Sequence, residues 1–182
     1  CKKKISPQYV LVEFLSILFF TFIYFFYGIT LTTLLLIILS LSFIIIFFID
    51  LKHFIIPNEL TFPLMFIGFI KSFEPNLNQT IFPNYLNSLI GGVFGYTIIW
   101  LIIFLYKKIR NKDGMGLGDA KLMAVVGFWF GWISIPFTIF FSSTIALITV
   151  LPSLIKKTRT ISTEIPFGPY IIAGCLVFLL FS

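Results

Sequence analysis

Long apolar stretches, each close to the length of a membrane crossing, constrain this chain more than any single residue does. A spanning helix needs roughly 20 apolar residues, and the sequence repeats such stretches with nearly all of its charges and prolines gathered into the short segments between them. A soluble helix or strand would break its apolar residues at a helical or strand period; here the blocks are unbroken. Apolar residues make up 59% of the 182 and charged residues only 11%, against about 25% charged in an ordinary soluble domain. Too little polar surface remains to face water on every side, so lipid is the expected solvent. Backbone groups in lipid must be satisfied internally. The chain is therefore read as all-α, a polytopic integral membrane protein of about seven transmembrane helices, at 8–27, 30–49, 58–71, 84–106, 119–132, 134–152 and 166–181, the third and fifth being short.

The formal charge of +6 raises nucleic acid as a partner, and the placement of the basic residues excludes it. Lys2 to Lys4, Lys52, the run Lys107, Lys108, Arg110 and Lys112, and the run Lys156, Lys157 and Arg159 sit between hydrophobic blocks, in alternate connections. That is the pattern of the positive-inside rule, not a basic stripe that tracks phosphates. It puts 50–57, 107–118 and 153–165 in the cytoplasm and 72–83 outside, with Lys71 as the one misfit. Ser88, Gly91, Gly92 and Gly95 form one small-residue stripe, and Ala120, Ala124, Gly127 and Gly131 another; both read as places where helix backbones approach closely. The 25 Phe and 7 Tyr read as lipid-facing and interfacial packing.

Ionisable groups at membrane boundaries are costly to keep, which narrows seven acids to two. Glu74 and Asp113 lie in loops, Glu59 falls in the first turn of a helix begun by Pro57, where it complements the helix dipole, and Glu13 and Glu164 flank hydrophobic segments. Asp50 ends an apolar run and precedes Lys52, so a membrane-edge ion pair is its plainest use. Asp119 opens an apolar helix, and an N-cap is its plainest use. Three alternating glycines before it, Gly114, Gly116 and Gly118, exceed what a cap requires; they allow unusual backbone dihedrals and close approach of a substrate. On this topology both aspartates share the cytoplasmic side. Two close carboxylates do not both ionise readily, so one holds a proton while the other stays charged, which supplies an acid and a base.

The run Gly114, Met115, Gly116, Leu117, Gly118 and Asp119, continuing through Lys121 and Ala124, resembles the G-x-G-D signature of type IV prepilin leader peptidases. Asp50 through Pro57, followed by Asn58, Leu60 and Thr61, resembles that family's other aspartate segment, and Ile165 to Pro169 its late loop before the final helix. The resemblance implies a membrane aspartic protease with Asp50 and Asp119 as the catalytic pair. It also implies site-shaping or substrate-binding places for Gly116, Gly118, Pro57, Lys121, Pro166 and Gly168. Prepilins or pseudopilins are the implied partners besides membrane lipid, and the inner (plasma) membrane the implied location. Presenilin-like proteases share the Gly-Leu-Gly-Asp of 116–119, but they place Tyr before the first aspartate and a Pro-Ala-Leu motif later, where this chain has Ile49 and Pro166, Phe167, Gly168 and Pro169. A transporter or assembly subunit using the aspartates as proton carriers is the alternative of another class.

Cys1 through Glu13 resembles the junction after the zinc-binding cysteine cluster of longer members, which also N-methylate their product with S-adenosylmethionine. Residues 1–7 are read as the end of such a cytoplasmic segment and 8–182 as the membrane-embedded peptidase domain. A longer protein, with the rest of that segment before Cys1, is expected. One thiol cannot build a tetrahedral site, so no metal is assignable, and peptide cleavage by carboxylates asks for no cofactor. His53, the only histidine, has no partner for a metal site or a triad and reads as a solvated boundary residue. Accessibility labelling should find residues 107–118 and 153–165 on the cytoplasmic side and 72–83 on the outer side; labelling of the two aspartate loops from opposite sides would exclude a shared site.

Overall fold

The computed structural model describes residues 7–74, 77, 81–110, 116–155 and 165–181. Among them the chain forms seven α-helices: α1 Pro7–Tyr27, α2 Leu31–His53, α3 Asn58–Ile70, α4 Tyr85–Arg110, α5 Leu117–Phe130, α6 Ser134–Ile155 and α7 Gly168–Phe181, with a 3-10 turn at Lys71–Phe73 after α3. The protein is an all-α polytopic membrane protein. Four helices, α1, α2, α4 and α6, are long and apolar enough to cross a membrane.

The short helices have a physical reason. At about 1.5 Å per residue, the 14 residues of α5 reach roughly 21 Å, less than the ~30 Å of a bilayer's hydrocarbon. α5 is not asked to span lipid, because it is buried on all sides: every residue from Leu122 to Gly127, and Trp129 and Phe130, is buried. A helix that is apolar all round belongs in a protein interior. It packs against α3, α4, α6 and α7, and most extensively against α4.

The two small-residue stripes make that closest contact. A Cβ on Gly91 would lie 2.5 Å from the Gly127 carbonyl oxygen and 2.6 Å from the Gly131 carbonyl carbon, and one on Gly95 would lie 2.6 Å from the Met123 carbonyl oxygen. Ser88 adds a hydrogen bond to the Phe128 carbonyl at 2.7 Å. On the third side, Trp129 donates its indole N–H to the Leu64 carbonyl of α3 at 2.8 Å, where Gly68 leaves room for the ring.

Lys71, the misfit in the charge pattern, is buried. Its Nζ donates to the Trp129 carbonyl at 2.9 Å and stands 3.9 Å from the centroid of the Phe82 ring. The last carbonyls of a helix have no partner within it, and the negative end of the dipole favours a cation there. Lys71 thus seals the C-terminal end of α5 through its hydrogen bond, although burial pulls its pKa down to about 7, and it serves inside the protein rather than as a topology signal. Lys71→Met leaves the Trp129 carbonyl unpartnered, and we expect a loss of about 1–3 kcal/mol, read as a lower unfolding temperature in detergent, with loop labelling unchanged.

Candidate active site

Asp50 lies in the last turn of α2, because that helix runs past the expected end at 49 to His53. The C-terminal end of a helix is an unfavourable place for a negative charge, and Asp50 is only 4% exposed. The plainer use weighed for Asp50, a pairing with Lys52, is not how its carboxyl is satisfied: Lys52 is exposed, and Asp50 Oδ2 instead accepts from the backbone N–H of Gly168 at 3.0 Å. Gly168 is the first residue of α7, whose free N-terminal amides suit an anion. A Cβ at Gly168 would sit 2.7 Å from that same oxygen, so glycine is what permits the contact.

Asp119 is also buried, 7% exposed, in the first turn of α5. The N-cap is Gly116, without a side-chain cap, and the Asp119 amide donates to the Gly116 carbonyl at 3.2 Å. The plainer use weighed for Asp119, capping the helix, does not apply: the helix begins two residues before it, at Leu117, which leaves the carboxylate free of that duty. Asp50 lies near enough for its charge to act on Asp119.

The glycines serve differently from expectation. Gly116 has an extended backbone, φ −82° and ψ 150°, and Gly118 is helical, so neither requires a left-handed conformation; Gly114 lies outside the described residues. Gly118 matters for space, since its Cβ would come within 3.0 Å of Ile56 Cβ. Gly116 is more tolerant, with only ordinary contacts at 3.8 and 3.9 Å, the latter to Asp119 Oδ2.

Ile56, which sequence reasoning passed over, is the piece between the two carboxylates' neighbours. Its side chain is buried, and its Cδ1 would lie 3.2 Å from a Cβ on Gly168 while its Cβ faces Gly118. The chain reaches that position by turning at Phe54, the C-cap of α2, which takes the left-handed conformation at φ 57° and donates its amide to the Asp50 carbonyl at 2.9 Å. An apolar residue in a short polar-edged connection was the available signal. Pro57 is the extended residue before α3 rather than its first helical residue. Lys121 donates to Asn58 Oδ1 at 2.6 Å, and Pro166 is half-buried in the extended lead into α7. His53 is exposed.

Among the described residues no three His, Cys, Asp or Glu side chains gather as a metal site, and Cys1 lies outside them. The described residues do not fit a zinc centre.

The family model described as type IV leader peptidase family matches residues 36–151. Proteins named prepilin leader peptidase/N-methyltransferase are similar over nearly the whole chain. That of Pseudomonas aeruginosa is 34% identical over 180 residues, covering 98% of this chain and 60% of the relative. That of Xanthomonas campestris pv. campestris is 37% identical over 177 residues, covering 97% and 60%, and that of Neisseria gonorrhoeae is 35% identical over 179 residues, covering 98% and 59%. The chain spans about 60% of the length of the curated relatives it matches. No solved structure matches it significantly.

Gly168→Ala should push the Asp50 side chain off its amide donor, leaving a buried carboxyl short of a hydrogen bond at a cost of about 1–3 kcal/mol. Gly116→Ala has room. Thermal unfolding in detergent is expected to separate them, with only the Gly168 variant clearly less stable.

Proposed function

Because the chain belongs to the type IV leader peptidase family, we propose that it is an aspartic endopeptidase that cleaves the basic leader peptides of prepilins or pseudopilins, with Asp50 and Asp119 as the catalytic pair. The observation that carries this reading is the proximity of two buried carboxylates from helices distant in sequence, each supported at a helix N-terminus and neither paired with a cation among the described residues. Acids are costly to hold together in an apolar setting and mark a functional place in a membrane protein, and one of the two favours keeping its proton when the other is charged.

The chemistry follows from that shared proton. The ionised carboxylate takes a proton from water as the water oxygen bonds to the scissile carbonyl carbon. The protonated carboxyl gives its proton to the oxygen that gains charge in the same step. Collapse of the tetrahedral species breaks the C–N bond: the second carboxylate takes back a proton from a hydroxyl as the C=O double bond re-forms, and the amine leaves with the proton returned from the first carboxyl. The pair is left as it began, and the reaction consumes one water. The Gly168 amide holds one Asp50 oxygen, which fixes the direction in which the other faces.

On this reading the site works at the cytoplasmic face of the inner membrane, where a leader is in water and the following apolar helix is in lipid. Cleavage needs no cofactor. The relatives' names also include N-methyltransferase; methyl transfer from S-adenosylmethionine is proposed for the full-length protein, and no residue described here is assigned to it.

Asp50→Asn and Asp119→Asn keep the side-chain shape but cannot exchange the proton. Each should lower cleavage of a prepilin peptide in detergent by at least about 10²-fold, with membrane insertion retained. Normal processing by either variant would refute the pair.

A further inference from the structure

The helices that carry the two aspartates do not pack against each other. Among the described residues α2 packs on α1, α3 and α7, and α5 on α3, α4, α6 and α7. The separation of Asp50 from Asp119 is therefore set by what the two helices share, which is α3 and α7. On the α7 side the link is the Gly168 amide on Asp50. On the α3 side the chain passes from Asp50 through Phe54 to Ile56, which packs on Gly118, and then to Asn58, the first residue of α3.

At that point one side chain of α5 reaches across. Lys121 Nζ donates to Asn58 Oδ1 at 2.6 Å and lies 5.5 Å from the centroid of the Phe62 ring. Asn58 and Phe62 are four residues apart and so share one face of α3, which gives the lysine a polar contact and an aromatic one. The bond is exposed and contributes little to global stability. Its position gives it a local effect, because it fixes the start of α3, and with it the Ile56 segment, to the turn of α5 that carries Asp119.

We propose that the Lys121–Asn58 bond is a clasp that sets the spacing of the two aspartates, and that Lys121 is a positioning residue rather than a substrate contact. Displacing a reacting group by as little as 1 Å can cost a large rate factor, so a weak bond in this place has a large lever. For its kinetic consequence the proposal rests on the peptidase reading; for its structural consequence it does not.

Two measurements test it on the purified chain in detergent. Hydrogen exchange should quicken at the Phe54, Leu60 and Thr61 amides in Lys121→Met and in Asn58→Ala, with the amides of α4 unchanged. In prepilin-peptide cleavage each variant should lose about tenfold in kcat with KM little altered. The double variant should be no worse than the worse single one, since both act through one bond. Lys121→Arg and Asn58→Asp, which keep donor and acceptor, should restore most of the rate. Peptide binding to the cleavage-dead Asp119→Asn protein should be unaffected by adding Lys121→Met. Unchanged exchange in both single variants would overturn the clasp whatever the activity. Additive losses, or loss of binding on the Asp119→Asn background, would instead make Lys121 a substrate contact. Absence of cleavage by the unaltered chain, with exchange quickened as expected, would count against the peptidase reading and leave the clasp standing.

Discussion

Everything at the candidate site depends on a helix buried among other helices along most of its length. α5 is surrounded by α3, α4, α6 and α7, and it is held there by backbone approach to α4 so close that no side chain fits at Gly91 or Gly95. Apolar contact with neighbours gains little over apolar contact with lipid, so membrane helices associate through close packing and hydrogen bonds. Here both are present: glycine faces glycine, and Ser88, Trp129 and Lys71 each hydrogen-bond across helices. Buried polar groups stand at both ends of α5, Asp119 in its first turn and, from the turn after α3, Lys71 on its last carbonyls.

Asp50 poses the opposite problem, a carboxylate at the end of a helix where the dipole disfavours it. Its solution lies 118 residues away, in the amide that opens α7. This explains why the late loop and the first aspartate belong to one site despite their distance in sequence: the carboxylate needs a donor, and a helix N-terminus approaching through glycine is a compact source of one.

The class of fold was legible, and the two aspartates stood out as candidates, because those signals are local: apolar length, charge between blocks, and acids where acids are expensive. The two small-residue stripes were legible for the same reason, but not that they face each other. Other features were hidden. The helix boundary at Asp50 was misjudged because α2 continues through Lys52 and His53, polar residues that a hydropathy reading treats as loop. Gly118 was credited with conformational freedom when its use is to make room for Ile56, a pairing that no spacing rule discloses. Lys71 looked like an exception to the charge rule, since its burial depends on a carbonyl 58 residues onward.

Phe54 shows how far such tertiary demands reach. For Ile56 to lie between Gly118 and Gly168, the chain must leave α2 by a left-handed residue, a conformation that glycine adopts freely and a bulky residue only at some cost. Phe54 is the one non-glycine residue with positive φ among those described, and its ring is half exposed. The fold fixes the backbone there without fixing the side chain. Strain of this kind persists only where the surroundings over-determine it, and here they do: the amide is bound to the Asp50 carbonyl on one side, and two residues on, Ile56 is wedged against the glycines beside both aspartates. The connection between α2 and α3 is thus the shared support of the two carboxylates, and a change in its geometry moves both.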